Sequence, residues 1–446
     1  MGSQLSEKRI VGWNEYPLGD ICQVDWGNTK LTKKSFVEGG EFLAVSAAGC
    51  DGRIGHAEHS KFTPVLSAIG ARCGRMFFPE EDFTAIKNTI TLTPNLEYVT
   101  HKFLYYLLTS VKLPQRGAGQ PFISKGDIQK FTVSIPSLEE QQRIVSILDE
   151  ALENSKSMLD ECKKKLLNSV ELFRSLLHSI FDQSQSDVNW DSNGIQFPKL
   201  EVFQPLNEQL PSSTRGRKET ERIIEGNLSL SVGQPSIIPR KGWNWSKLTN
   251  LARLESGHTP SRKFPEYWGG NVPWIGIKDA RKNYGKIVMN TLEQTNQLGL
   301  DNSAARLLPK GTVCLSRTAS VGYVVVMGTE MATSQDFVNW VCTSELDPHF
   351  LKFLLMAERD GFSNYSSGSV HQTIYFPEVK AFHICHPDID TQRRIAQYLN
   401  GACLQFESLQ ELYRKEVEVL EQLDQSILQE ALSGRLRIAE GLADQS

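Results

Sequence analysis

The chain has 446 residues, 40% of them hydrophobic and 22% charged, with a formal net charge of −4 at neutral pH. That is the composition of a soluble chain with room for two or three domains and sizeable cores. No run of 18 or more apolar residues occurs and the opening MGSQLSEKRI carries no apolar signal-peptide core, so a membrane is excluded and a cytoplasmic location is expected.

Residues 1–135 hold short β-like runs, FLAVSAA, VLSAIGA and NTITLTP, broken by Gly, Pro, Asn and Asp, and then one helical stretch, HKFLYYLLTS. The pattern predicts a mixed α/β globular domain. From Pro136 the period becomes helical, with Ile144, Ile147, Ala151, Met158, Cys162, Leu166, Val170, Phe173, Leu177 and Ile180 at steps of three and four. Residues 136–182 therefore read as one long helix whose stripe needs only a second helix of equal length to cover it. Residues 183–240 are polar, with little periodicity, and read as a linker or partly ordered arm.

A second α/β domain follows over 241–385, with runs VPWIGIK, TVCLSR, GYVVVM and FVNWVC and the helical PHFLKFLLMAE. Residues 386–446 return to the helical period through Ile395, Leu399, Ala402, Phe406, Leu409, Tyr413, Leu420, Leu423 and Ile427. The second half repeats the first. GWNEYPLGDI at 12–21 aligns with GWNWSKLTNL at 242–251, Gly27-Asn28-Thr29 with Gly257-His258-Thr259, Gly74 with Gly322, and Pro136 with Pro387, the offset growing from 230 to 251.

Eight cysteines are scattered without a C-x-x-C, which predicts reduced thiols and no structural zinc. His383 and Cys385 flank Ile384 as residues of a buried strand would. Charge is divided unevenly: the globular spans 1–135 and 240–385 are +2 and +4, whereas 136–182, 183–239 and 386–446 are −3, −2 and −5. A nucleic-acid duplex would attract the globular parts; the acidic helices would face protein or solvent.

The stretch GHTPSRKFPEYWGGNVPWIGIKDA at 257–280 resembles the opening motif of target recognition domains in specificity subunits of type I restriction-modification systems, the HsdS family. Two further stretches, GAGQPFISKGDIQKFTVSIPSLEEQQRIVSIL at 117–148 and SGSVHQTIYFPEVKAFHICHPDIDTQRRIAQYL at 367–399, are similar to its closing motif. The resemblance implies two pseudo-twofold-related globular α/β target recognition domains separated by two long antiparallel coiled-coil helices. Each domain would read one half of a bipartite double-stranded DNA target. The resemblance also implies two modification (methyltransferase) subunits as partners, with restriction/translocase subunits as optional further members. The chain itself would be non-catalytic and hold no cofactor. S-adenosylmethionine, and ATP and Mg²⁺ where a restriction subunit is present, would be used by the partners.

The residues agree with an absence of chemistry here. There is no G-x-x-x-x-G-K-[ST] and no Asn- or Asp-Pro-Pro-aromatic tetrapeptide. Glu378-Val379-Lys380 looks like the tail of a nuclease motif, but no Pro-Asp precedes it and its counterpart Asp127-Ile128-Gln129 lacks the lysine; a strand edge is the better reading. Two alternatives stay open: an enzyme with an unrecognised restriction or methylation motif, and a coiled-coil scaffold without DNA reading.

Base edges are read by Arg, Asn and Gln, with Ser, Thr and Lys fixing phosphates. In the first domain the candidates are Asn28, Thr29 and Lys30 with Lys33 and Lys34, then Arg53 and His56, Arg72 and Arg75, and Arg116 with Gln120. In the second they are His258, Thr259, Ser261, Arg262 and Lys263, then Lys278, Arg281, Lys282 and Asn283, Arg317 with Ser320, and His371 with Gln372. Flanking glycines would let the backbone approach phosphates. The plainer reading is solvated loop residues, and Phe264, Tyr267, Trp268 and Trp274 as core beneath them. The phrase IPSLEEQQRI and its repeat HPDIDTQRRI mark a junction of domain and helix, or a partner interface: Pro136, Glu139, Gln141, Arg143 and Ile144, then Pro387, Asp390, Gln392, Arg394 and Ile395.

Overall fold

The computed structural model describes residues 12–117, 119–184, 199–206, 212–226, 228–318, 320–367 and 372–433. They divide into two compact units, the residues up to Lys165 together with those from Tyr413 onward, and Leu166–Leu412. Each unit holds one α/β domain, part of one long helix and part of the other.

In the first unit an antiparallel sheet runs in the order Cys22–Trp26, Thr89–Pro94, Val65–Ser67, Met76–Phe77. Its inner strand TITLTP is β-branched at alternate positions and buried at all but Thr93, as a strand paired on both edges requires. A second sheet orders Gly49–Ile54, Phe42–Ser46 and Phe83–Ala85. The helix His101–Ser110 buries Phe103, Leu104, Leu107 and Leu108, a face at helical spacing, into the main core. Asn14–Pro17 lies antiparallel to Thr132–Ile135, and Pro136 then ends the strand before the long helix Leu138–Phe181.

The second unit repeats this plan with a larger sheet, Ala252–Ser256, Phe337–Cys342, Val313–Ser316, Val324–Met327, Ile287–Val288, and the helix Pro348–Ala357 in place of His101–Ser110. Asn244–Lys247 pairs antiparallel with Phe382–His386, and the second long helix is Ile389–Leu432. His383 and Cys385 lie in this strand, with Cys385 fully buried.

The helices are antiparallel within each unit. In the first, Ile144 and Leu148 share a core with Leu428, Ala431 and Leu432. In the second, Ile395 and Leu399 share one with Leu177, Ile180 and Phe181, and Phe173 meets Phe406 at 5.5 Å between ring centres. Those five helix positions recur at an offset of 251. The middle of the expected stripe is different: Met158, Val170, Leu409 and Leu423 are exposed, while Ser155 and Ser169 are buried. Cys162 and Leu420 are buried as expected, and Ser155, Cys162 and Ser169, seven residues apart, continue the buried stripe of Leu148 with small side chains.

Two expectations are corrected. The span read as a polar linker is in part domain: Leu230–Val232 pairs with the free edge of Phe382–His386, and Phe203, Leu228 and Leu230 join the core. The buried carboxylate of Glu358 accepts from the amides of Leu228, Ser229 and Leu230 at 3.0, 2.6 and 2.9 Å, so this backbone is satisfied away from water. Glu378-Val379-Lys380 is no strand edge but the end of a short helix, Phe376–Lys380, started by Pro377 in its first turn. Asp127-Ile128-Gln129 likewise ends the helix Lys125–Gln129, capped by the Ser124 hydroxyl.

Among the described residues no helix is long and apolar enough to cross a membrane, and all eight cysteines are unpaired.

Candidate nucleic-acid interface

Of the first-domain candidates Arg53 lies in the strand Gly49–Ile54 and Lys33 and Lys34 in a short helical turn, and three of the seven Lys and Arg charges, Lys33, Arg53 and Arg116, are matched by carboxylates. Asn28 donates to Glu58 at 2.7 Å, and His56 approaches the same carboxylate oxygen at 3.2 Å. Lys33 pairs with Asp51, Arg53 forks onto Glu81 at 2.6 and 3.2 Å, and Arg116 pairs with Asp127. The Glu81 carboxylate raises the Arg53 pKa. Arg72 donates to the Ala48 carbonyl. Thr29, Lys30, Lys34, Arg75 and Gln120 are exposed. Surface pairs of this kind contribute at most about 1 kcal/mol, so a phosphate can compete for the cations.

In the second domain the structure gathers two groups. Arg262 forks onto Glu293 at 2.5 and 2.7 Å and stacks on Trp268, its guanidinium carbon 3.8 Å from the ring centre. The Glu293 hydrogen bond raises its pKa. Trp274 lies under this loop, its ring nitrogen donating to the His258 carbonyl at 3.1 Å. Trp274 is buried, whereas Phe264 is exposed. Ser261, Lys263 and Lys278 are exposed around it. The other group centres on Arg317, which donates to the carbonyls of Gln335 at 3.2 Å and Ile374 at 3.4 Å and stacks on Phe376. Burial, then the neighbouring Arg217, lowers its pKa. The Thr259 hydroxyl bonds to Gln335, which joins it to Arg317; Ser320 is half-buried, Gln372 is exposed and His371 lies outside the described residues. Arg281 donates to Tyr323 at 3.1 Å, Lys282 is exposed next to it, and Asn283 caps its short helix by donating to the Asp279 carbonyl at 2.9 Å.

The repeated glycines are required by the fold itself. A Cβ on Gly27 would collide with the Thr89 hydroxyl and the Ile86 carbonyl, and one on Gly257 with the Ser334 carbonyl. At both positions the chain passes against its own backbone, which leaves no room for a side chain. Arg217 escaped the sequence reading because it lies in the span taken as linker; the signal was TRGRK at 214–218, three cations with no acid.

The junction residues separate into two sets. Pro136, Gln141, Ile144, Pro387, Gln392 and Ile395 are buried, while Glu139, Arg143, Asp390 and Arg394 are exposed. Gln141 donates to the carbonyls of Tyr98 at 2.7 Å and Pro136 at 3.0 Å and accepts from the Thr100 amide at 3.0 Å. Gln392 donates to the carbonyls of Glu345 and Pro387, both at 3.0 Å, and accepts from the Asp347 amide at 3.0 Å. Each glutamine thus ties the first turn of a long helix to the loop that starts the domain's own helix. Ser137 and Asp388 cap the same turns.

A family model described as type I restriction modification DNA specificity domain matches residues 10–169 and again 240–422, most of the chain and both repeats. The chain belongs to this specificity family. Among curated members, the HindI specificity subunit of Haemophilus influenzae is 22% identical over 76% of this chain and 81% of its own length. The MjaIX specificity subunit of Methanocaldococcus jannaschii is 30% identical over 41% of this chain, and the chain spans only 42% of that relative. A solved chain from a type I R-M assembly superimposes with a TM-score of 0.65 at 17% identity, covering 95% of this chain and 98% of its own, a likeness of fold.

Proposed function

We propose that this chain is the DNA sequence-specificity subunit of a type I restriction-modification complex. Each α/β domain reads one half of a bipartite duplex, and the two long helices set the spacing and dock the modification subunits. The observation that carries this reading is the duplicated glutamine lock. A scaffold needs no rigid angle between its arms and its helices, but a reader of two half-sites does, because bases are reached only in fixed register. The basic balance of the domains, +2 and +4 against acidic helices, supports the same division.

Each long helix has 44 residues, a rise of roughly 66 Å at 1.5 Å per residue, which suits a spacer. The exposed junction residues Glu139 and Arg143 recur as Asp390 and Arg394, which favours two equivalent docking surfaces and hence two modification subunits. Exposed Leu167, Leu172, Leu412 and Val419 on the helices add apolar area that a partner would cover. Methyl transfer from S-adenosylmethionine, and any ATP- and Mg²⁺-dependent cleavage, then belong to the partners.

The test is to map N6-methyladenine in cells carrying this chain and its modification subunit. The expected result is one bipartite motif with a fixed spacer, and removal of one helical turn from both 144–181 and 395–432 should change that spacer. A contiguous motif, or an unchanged spacer, rejects the reading. Methylation or cleavage by the purified chain alone would favour an enzyme instead.

A further inference from the structure

The segment Ser212–Lys218, SSTRGRK, carries three cations and no acid, and it is fastened to the second domain on both sides of Arg217. Before it, the Ser213 amide donates to the buried Glu255 carboxylate at 2.9 Å and the Ser212 hydroxyl donates to the Leu254 carbonyl. After it, the Thr220 amide donates to the Pro377 carbonyl at 3.1 Å, and Lys247 pairs with Glu219. At Arg217 itself, the Lys380 ammonium donates to the main-chain carbonyl at 2.7 Å. Gly216, with φ of +85°, makes the left-handed turn that brings Arg217 back over the domain.

There its guanidinium stacks on Phe376 with the carbon 3.9 Å from the ring centre, while Arg317 lies over the same ring at 4.7 Å. Neither is ion-paired with a carboxylate among the described residues, in contrast to Arg53, Arg116 and Arg262. Asp336 is the nearby acid, and it accepts from the Ser334 hydroxyl at 3.1 Å. Two guanidiniums held on one phenyl ring repel each other, and the arrangement is relieved by an anion between or beside them. Arg317 is half-buried and fixed by two carbonyls, as a base reader would be; Arg217 is exposed at the rim, where a backbone phosphate would pass.

We infer that the arm 212–218 is part of the DNA-binding surface of the second domain and that Arg217 contacts a backbone phosphate next to the edge reached by Arg317. This rests on the domain reading duplex DNA. These residues are then a binding element of the second domain rather than a tether.

The test uses the chain assembled with its modification subunits, and fluorescence anisotropy on the mapped target and on a scrambled duplex across a range of salt concentrations. Arg217→Ala should weaken both duplexes by the same factor, about five- to tenfold, and reduce the slope of log K against log salt by about 1. Arg217→Lys should restore most of the affinity, and Arg222→Ala, beyond the arm, should change nothing. Unchanged affinity and slope overturn the inference. So does weaker binding with an unchanged slope: with a lower melting temperature it means that Arg217 only holds the arm, and with loss confined to the target it means base reading. If the unaltered complex binds target and scrambled duplex alike, the sequence-reading function fails instead, and the slope change for Arg217→Ala still decides the phosphate contact.

Discussion

Arg317 and Ala68 occupy the same place in the two domains. The Ile374 amide donates to the Arg317 carbonyl at 2.8 Å, and the Ile123 amide donates to the Ala68 carbonyl at 2.8 Å, 251 residues earlier on the partner strand. One scaffold position thus carries a half-buried guanidinium in one domain and a methyl group in the other. Positions that the backbone holds fixed while the side chain differs are where two domains of one plan can read different half-sites. Arg317→Ala is expected to relax one base position in a single half of the target by about 1–3 kcal/mol, leaving the other half unchanged. Competition by duplexes altered one base pair at a time measures this; equal relaxation in both halves would reject it.

Arg262 is held by Glu293, and the ion pair has to open before a phosphate can use the cation. Glu293→Gln should therefore strengthen binding of all duplexes alike by about two- to fivefold, the equivalent of a surface pair worth up to about 1 kcal/mol. Arg262→Ala should weaken binding. If both variants leave affinity and target preference unchanged, this loop is not at the DNA.

Gln141→Leu leaves the carbonyls of Tyr98 and Pro136 and the Thr100 amide without their glutamine partner, and Gln392→Leu does the same to the Glu345 carbonyl and the Asp347 amide, the Pro387 carbonyl keeping the His386 ring. Each should cost about 2–4 kcal/mol in urea unfolding, since unpaired buried groups cost about 1–3 kcal/mol apiece and some regain water. The variants that still fold should lose discrimination against targets with a wrong spacer, because the angle between domain and helix is no longer fixed. Unaltered stability would mean that the junction is held by the apolar contacts of Ile144 and Ile395 alone.

Lys352 is buried, and desolvation lowers its pKa to about 8 against the opposing pull of Cys403, Glu407 and Asp347. Its ammonium lies 3.9 Å from the Phe353 ring centre. Between about pH 8 and the ordinary lysine value near 10.5 the unfolded chain binds more protons than the folded one, so stability attributable to this group rises with pH across that window. Below it the full cost of burying a charge is present, on the order of 3 kcal/mol. Lys352→Met should stabilise the second domain at pH 7, and its advantage over the unaltered chain should shrink as pH is raised to about 10.5. A difference that does not change with pH would show that Lys352 binds its proton alike in the folded and unfolded chain, so that its burial shifts nothing.

Much of this was legible in the sequence because periodicity and repetition are local properties. The steps of three and four after Pro136 and Pro387 predict the helices that run over Leu138–Phe181 and Ile389–Leu432. Runs such as FVNWVC and TVCLSR are strands because their apolar residues leave no solvated face. The junction phrase could be recognised as a junction, but not divided into an inward glutamine and an outward arginine. That division depends on where the loops Tyr98–Thr100 and Glu345–Asp347 come to rest.

The sequence by itself determined the duplication, the α/β plan of each domain, the two helices and the family. These follow from backbone periodicity and from order along the chain, which need no knowledge of distant contacts. Only the tertiary structure decided which polar residues are spoken for. It matched Arg53, Arg116 and Arg262 to carboxylates, turned Gly27 and Gly257 inward, drew Leu230–Val232 out of an apparent linker into a sheet, and set Arg217 beside Arg317. A charge on a loop is the same letter whether it faces solvent, a carboxylate or a phosphate; its partner comes from a part of the chain tens to hundreds of residues away, and only folding brings the two together.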